Sequence, residues 1–253
     1  PESGLLACGA RGPGRLPAVE TILEAAAALL RPGKRLEGIS VLVTAGGTRE
    51  YLDPVRFLGN ASSGKMGYAV AAEAQRRGAT VTLVTGPTAL APPPGVEVIA
   101  VESAAEMYEA VLARAGTARV VVKAAAVADF RPKERAPVKI KKAGGPPVIE
   151  LEPTPDILGE LGRLKRPEQI LVGFAAETEN AVEHAREKLV AKNLDLMVVN
   201  DVTRPGAGFG GDTNIVTFLF GDGQVEELPR LTKAEVARRL WDAIVGLLEH
   251  KEE

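Results

Sequence analysis

Short apolar, β-branched runs alternate with stretches of helical spacing along most of this chain. Ile39-Ser40-Val41-Leu42-Val43-Thr44-Ala45 is an almost unbroken apolar run of strand length, the signature of a parallel strand covered on both faces. Amphipathic spacing over 65–77 predicts a helix, and β-branched runs at 80–84 and 96–101 predict two strands. A helix over 104–115 and a strand over 118–127 follow. The alternation resumes with a helix near 156–164, a strand near 169–174, a helix over 179–192 capped by Thr178, and a strand at 196–199. Gly221-Asp222-Gly223 separates runs at 215–220 and 224–227 and predicts a hairpin, with a last helix over 233–249. Together these predict an α/β, Rossmann-like fold: a doubly wound, mostly parallel sheet with helices on both faces, a protruding arm and a C-terminal hairpin.

Two segments break the pattern. Residues 1–17, rich in Gly, Pro and Ala, read as a tail or linker before an Ala/Leu helix over 18–30, which Arg31-Pro32-Gly33-Lys34 stops. Residues 129–152 are rich in proline and lysine and read as a mobile arm or hairpin. The expected division is therefore a tail over 1–36 and a main domain over 37–253.

Composition narrows the chemistry. The chain's 253 residues suffice for a substantial core, and 31 basic against 33 acidic residues leave no global field to draw nucleic acid or an anionic membrane. No apolar run reaches the ~20 residues that span a bilayer, and no signal-peptide layout opens the chain, so a cytoplasmic protein is expected. Cys8 is the one cysteine, which excludes an internal disulfide, and His184 and His250 lie too far apart to suggest a metal motif. No metal site built from protein side chains is expected.

The most informative stretch is Phe57-Leu58-Gly59-Asn60-Ala61-Ser62-Ser63-Gly64-Lys65-Met66-Gly67. Gly59 to Met66 comes within one residue of a phosphate-binding G-x-x-x-x-G-K-[S/T] loop, but Met66 stands where the Mg²⁺-binding hydroxyl belongs. A thioether is a poor ligand for so hard a cation, which argues against an ordinary P-loop NTPase. What survives is a helix N-terminus able to hold an anion, although turn glycines and a serine N-cap would explain the same residues. A nicotinamide enzyme fits poorly: no G-x-G-x-x-G follows Ala45, and the next strand ends in Thr85-Gly86-Pro87 without a ribose-gripping acid. Ligands on such sheets gather outside the carboxyl ends of strands, where Gly46-Gly47, Gly86-Pro87 and Asp129 are expected to converge. Each of these has an equally plain alternative as a turn residue. Lys139, Lys141 and Lys142 read either as a solvated charge run or as cations on a loop that closes over a site. Lys188 and Lys192 share a helix face with His184, and Phe174 is either core or a platform for a base.

Taken together, Thr44-Ala45-Gly46-Gly47-Thr48-Arg49-Glu50, Asn60-Ala61-Ser62-Ser63-Gly64-Lys65-Met66-Gly67, Ala125-Ala126-Val127-Ala128-Asp129-Phe130, Lys139-Ile140-Lys141-Lys142, Thr154-Pro155-Asp156-Ile157, Gly173-Phe174-Ala175-Ala176-Glu177 and Lys192-Asn193-Leu194-Asp195 resemble the phosphopantothenoylcysteine synthetases, from about Gly38 to the C-terminus. The resemblance implies that CTP activates 4′-phosphopantothenate to an acyl-cytidylate, releasing pyrophosphate, and that the amine of cysteine then displaces CMP. It assigns Asn60 to stabilising that intermediate and Lys139, on a flexible flap, to its turnover. Gly46, Ser62, Gly64 and Gly67 would line the phosphates. Asp129, Pro155, Asp156, Ile157, Leu158, Phe174, Lys188 and Lys192 would hold the nucleotide, and Ala124, Ala125 and Ala126 would border the acyl group. Mg²⁺ would come with the triphosphate, and a homodimer is implied. Thr154 and Tyr51 depart from the usual Asn and Pro of relatives. Leu6 to Arg15 resembles the substrate flap of the flavin-dependent decarboxylase fused ahead of this ligase in bacteria, with Cys8 at its catalytic cysteine and Leu16 departing from the pattern. FMN is not expected in this chain, since the flavin-binding body is missing from the sequence. A nucleotide-binding regulatory module on the same fold is the alternative from another class.

Overall fold

The computed structural model describes residues 2–5, 11–15, 19, 35–142, 148–177, 181–201 and 210–251. Cys8, the Thr178 cap and all of the expected 18–30 helix but Val19 lie outside the described residues. The chain divides into two compact units, 1–35 and 36–253. The division falls one residue before the expected boundary because Leu36 is fully buried in the core of the second unit. Strands β1 (Glu2–Leu5) and β2 (Arg11–Arg15) pair antiparallel, with Gly4 opposite Gly12. An isolated two-stranded ribbon tolerates Pro13, because each strand needs hydrogen bonds on one side only.

In the second unit the apolar runs become strands and the amphipathic stretches helices, in chain order. These are β3 (Ser40–Ala45), β4 (Glu50–Tyr51), β5 (Phe57–Leu58), α1 (Lys65–Arg76), β6 (Thr80–Thr85), β7 (Glu97–Ala100), α2 (Ala104–Ala115) and β8 (Val120–Lys123). Next come β9 (Phe130–Pro132), β10 (Leu151–Pro153), α3 (Ile157–Leu164), β11 (Ile170–Glu177), α4 (Ala181–Ala191) and β12 (Leu196–Asp201). The chain closes with β13 (Thr213–Asn214), β14 (Val216–Phe220), β15 (Val225–Glu227), β16 (Leu231–Thr232) and α5 (Lys233–His250). Eight strands form one sheet in the order β15-β14-β12-β11-β8-β3-β6-β7, parallel except for β14 and β15. No described helix is long and apolar enough to cross a membrane.

Alternation along β3 sends Val41, Val43 and Ala45 to one face and Leu42 to the other. The first face packs α1 and α5 and is anchored by fully buried Trp241, whose indole N–H donates to the Val70 carbonyl at 2.9 Å. The second packs α2, α3 and α4 around Met107, Leu171 and Met197. The chain leaves β3 toward β6 on one side and returns through α2 to β8 on the other. The point where strand order reverses, between β3 and β8, is where such sheets open a crevice.

Strand β8 stops at Lys123, short of the expected end at 127. Threonines from β3 and the loop after it take over the following backbone: Thr44 Oγ1 accepts from the Ala125 N–H at 3.1 Å and Thr48 Oγ1 from the Ala128 N–H at 3.0 Å. The Ala124–Ala128 segment stays alongside the end of β3, with the Ala126 N–H donating to the Gly46 carbonyl at 2.8 Å, and forms a wall. The 129–152 excursion is a hairpin at its base, where β9 and β10 pair antiparallel.

Candidate active site

Helix α1 begins without a serine cap, the plain alternative for these residues. Its N-cap is Gly64, in the left-handed region at φ 76°, and no side chain caps its first turn. Ser62 Oγ instead accepts from the Gly64 N–H at 3.3 Å, which tightens the turn one step earlier. The first-turn amides of α1 are therefore not consumed by a protein side chain, the condition under which a helix start can hold an anion.

The α1 start, the Ala124–Ala128 wall, the N-terminus of α3, the end of β11 and one face of α4 together enclose a cavity of about 700 Å³. Asn60, Ser62, Gly64, Gly67, Asp129, Pro155, Asp156, Ile157, Leu158, Phe174, Lys188, Lys192 and Ala124, Ala125 and Ala126 all line it, as a common site requires. Asn60 reaches across the crevice: its Nδ2 donates to the carbonyls of Ala126 at 3.3 Å and Val127 at 3.0 Å. Asp156 caps α3 by accepting from the Gly159 N–H and also accepts from Lys192 Nζ, both at 3.0 Å. Burial works against its charge, but the Gly159 amide and the Lys192 ammonium outweigh it and hold its carboxyl below the usual range.

Two expected site residues lie elsewhere. Gly46 does not line the cavity: a Cβ there would stand 2.8 Å from the Gly86 carbonyl oxygen, and one on Gly86 would stand 2.3 Å from that of Gly47. These glycines let two strand ends close on each other, and Gly86-Pro87 is absent from the wall for the same reason. Lys139 is exposed and also off the wall. Its neighbour Ile140 is latched to the β4–β5 region, donating its N–H to Asp53 Oδ2 at 3.2 Å and accepting from Arg56 Nη2 at 2.6 Å. Buried Asp53 also accepts from Arg56 Nε and from the Val55 and Arg56 amides, which overcomes desolvation and holds its carboxyl well below the carboxylate range.

The cavity also gathers residues that sequence reasoning passed over: Lys123, Asn200, Asn214 and Lys233. Lys233 opens α5, donates to the Gly211 carbonyl at 2.6 Å, and is depressed by burial and by the nearby Lys65 charge. Lys65 pairs with Asp212 at 2.7 Å. Asn214 Oδ1 is buried with no hydrogen-bond partner among the described residues. Lys123 had a visible signal, as the one charge in the apolar run 120–128. The others had none, because their convergence depends on how α5 and β13 return to the crevice. Five lysines against two aspartates leave the lining net positive. Among the described residues no group of three or more His, Cys, Asp or Glu could hold a metal ion.

A doubly wound sheet with a preformed, cation-lined crevice at its switch point defines the class of this protein: an α/β domain with a large polar site at its strand ends. The chain belongs to the family of the DNA/pantothenate metabolism flavoprotein C-terminal domain, whose model matches residues 36–248. It is 51% identical over 250 residues to the coenzyme A biosynthesis bifunctional protein CoaBC of Bacillus subtilis, a match covering 98% of this chain and 61% of that protein. The chain thus spans less than two thirds of that relative's length. It is 43% identical to a cysteine/cysteine sulfinic acid decarboxylase from an unknown prokaryotic organism, over 98% of this chain and 70% of that protein. The crystal structure of the C-terminal domain of a CoaBC protein superposes with a TM-score of 0.75 at 49% identity, covering 86% of this chain and all of that one.

Proposed function

We propose that this chain is a phosphopantothenate–cysteine ligase of coenzyme A biosynthesis, which activates 4′-phosphopantothenate with CTP and joins the acyl-cytidylate to cysteine. The observation that carries this reading is the single net-positive cavity holding both the α1 anion turn and Asn60 against the Ala126–Val127 carbonyls. Attack of a carboxylate on the α-phosphate builds negative charge, which fixed amides, lysines and the Mg²⁺ that enters with the triphosphate can neutralise. Ser62, Gly64 and Gly67 take the phosphates. Asp129, Phe174, Lys188, Lys192 and the 155–158 turn hold the nucleotide, and the alanine wall borders the acyl chain. Asn60 orients the intermediate, and Lys139 reaches it when the arm closes or from a second subunit of a homodimer. Family membership and the similarity to CoaBC support the reading.

The test is ³¹P NMR and mass spectrometry of the purified chain with Mg²⁺, CTP and 4′-phosphopantothenate, with and without cysteine. Pyrophosphate in both mixtures, with the amide product and CMP only when cysteine is present, is the expected result. Intact CTP with a folded protein would mean a nucleotide-binding module instead. A second reading, decarboxylation of a cysteine-derived acid, draws on the 43% identical relative, and CO₂ release from cysteine or cysteine sulfinate would favour it.

A further inference from the structure

Lys123 is a charged residue placed where the fold gains nothing from its charge. It ends β8 in the middle of the sheet, with Thr44 of β3 on one side and Gly173 of β11 on the other, neither of which carries a charge. It lines the cavity. It makes no hydrogen bond or ion pair among the described residues. Of the charged groups that face it, Lys188 projects from α4, Lys192 from the turn after it, Asp156 from the start of α3 and Asp129 from the loop after β8. Lys192 and Asp156 pair with each other at 3.0 Å. A half-buried amine without a partner costs free energy in its charged form, and a methionine of similar shape would fill the same space at no such cost. Burial, then Lys192, push its pKa down to about 8, only partly countered by Asp129 and Asp156.

We propose that Lys123 is a ligand for the polyphosphate of the substrate and takes up a proton from solvent as that anion enters the cavity. The inference rests on the CTP-dependent reading for the identity of the anion, but its geometry concerns any polyphosphate. Lys192 and Lys188 disfavour a third ammonium beside them, whereas several phosphate charges reverse the local field and make the ammonium the favoured form. Binding and protonation are then linked. Affinity is fullest below the free amine's pKa and falls by up to about tenfold per pH unit above it, until the pKa of the bound state is reached.

The experiment is titration calorimetry of the whole chain with Mg²⁺–CTP and, separately, with inorganic triphosphate, at pH 8 in buffers of low and high ionisation enthalpy. Wild type, Lys123→Met and Lys123→Arg are compared. Wild type is expected to take up roughly half a proton per ligand beyond the ligand's own exchange. Lys123→Met should take up none, bind at least ~10-fold more weakly at pH 7, and lose the fall in affinity between pH 8 and 9. Lys123→Arg should bind without uptake, since its charge is permanent. A melting temperature at or above wild type would show that Lys123→Met remains folded. Equal proton uptake in wild type and Lys123→Met overturns the proposal, as does binding of neither ligand. Lys123-dependent uptake with triphosphate but no pyrophosphate from CTP would uphold it while overturning the ligase reading.

Discussion

Asn60 shows how one side chain ties two backbone segments across the crevice. Its amide donates to two carbonyls of the alanine wall, and a carboxylate in its place cannot donate and would repel both those carbonyls and a phosphate. Asn60→Asp should therefore slow pyrophosphate release by on the order of 10²-fold in single-turnover assays, with Lys139→Gln instead forming the acyl-cytidylate and passing it slowly to cysteine. Lys123 makes a second residue-scale prediction. Its pKa is 10.5 in an unexposed-to-structure chain and about 8 here, so the unfolded chain binds more protons between those values. Stability falls as pH drops from 10.5 toward 8, and the full penalty is present below 8. Lys123→Met should raise unfolding stability at pH 7 by on the order of 1–3 kcal/mol in urea titrations, a gain that fades as pH rises from about 8 toward 10.5. Asn60, Asp129, Phe174, Lys188 and Lys192 were picked out through the family resemblance, since each alone also read as a turn, core or surface residue, and all five line the cavity. Lys123 was passed over because its meaning comes from neighbours on α3 and α4, distant in sequence.

Among the elements, the 129–152 arm and the start of α1 decide most. The arm was legible as an excursion from its prolines and lysines, but not its attachment, since the Asp53–Arg56 latch on Ile140 joins residues more than eighty positions apart. Asp53→Asn weakens that latch by removing the charge that Arg56 needs. The Ile140 amide should then exchange with deuterium at least ~10-fold faster, while strand amides of β8 keep their protection. Helix α1 was placed correctly, yet its cap was not serine: the approach from Ser62-Ser63 requires a left-handed residue that only glycine adopts without strain. Gly64→Ala should cost ~1 kcal/mol by chemical denaturation, since its Cβ would also stand 3.4 Å from the Gly46 amide nitrogen.

For the whole molecule, the sheet is held between two apolar layers, and Trp241 is the largest side chain fully buried in the layer that fixes α5 against α1. Trp241→Ala should cost ~3–5 kcal/mol in urea unfolding, through the cavity left and the Val70 carbonyl stripped of its donor. Apolar periodicity by itself determined the helices and strands of the main domain, their α/β order and the mostly parallel sheet, because burying a strand on both faces demands a continuous apolar run and burying a helix on one demands a stripe. The motifs around Asn60, Asp129 and Phe174 likewise announced a site at strand ends. Only the tertiary structure decided which candidates share a cavity. It set Gly46 behind the wall as a packing contact, left Lys139 latched outside, and brought Lys123, Asn214 and Lys233 inside. Those outcomes depend on where distant segments meet: side-chain spacing along a chain encodes which face a residue takes, while the company it keeps there is set by strand order and by the close approach of backbones.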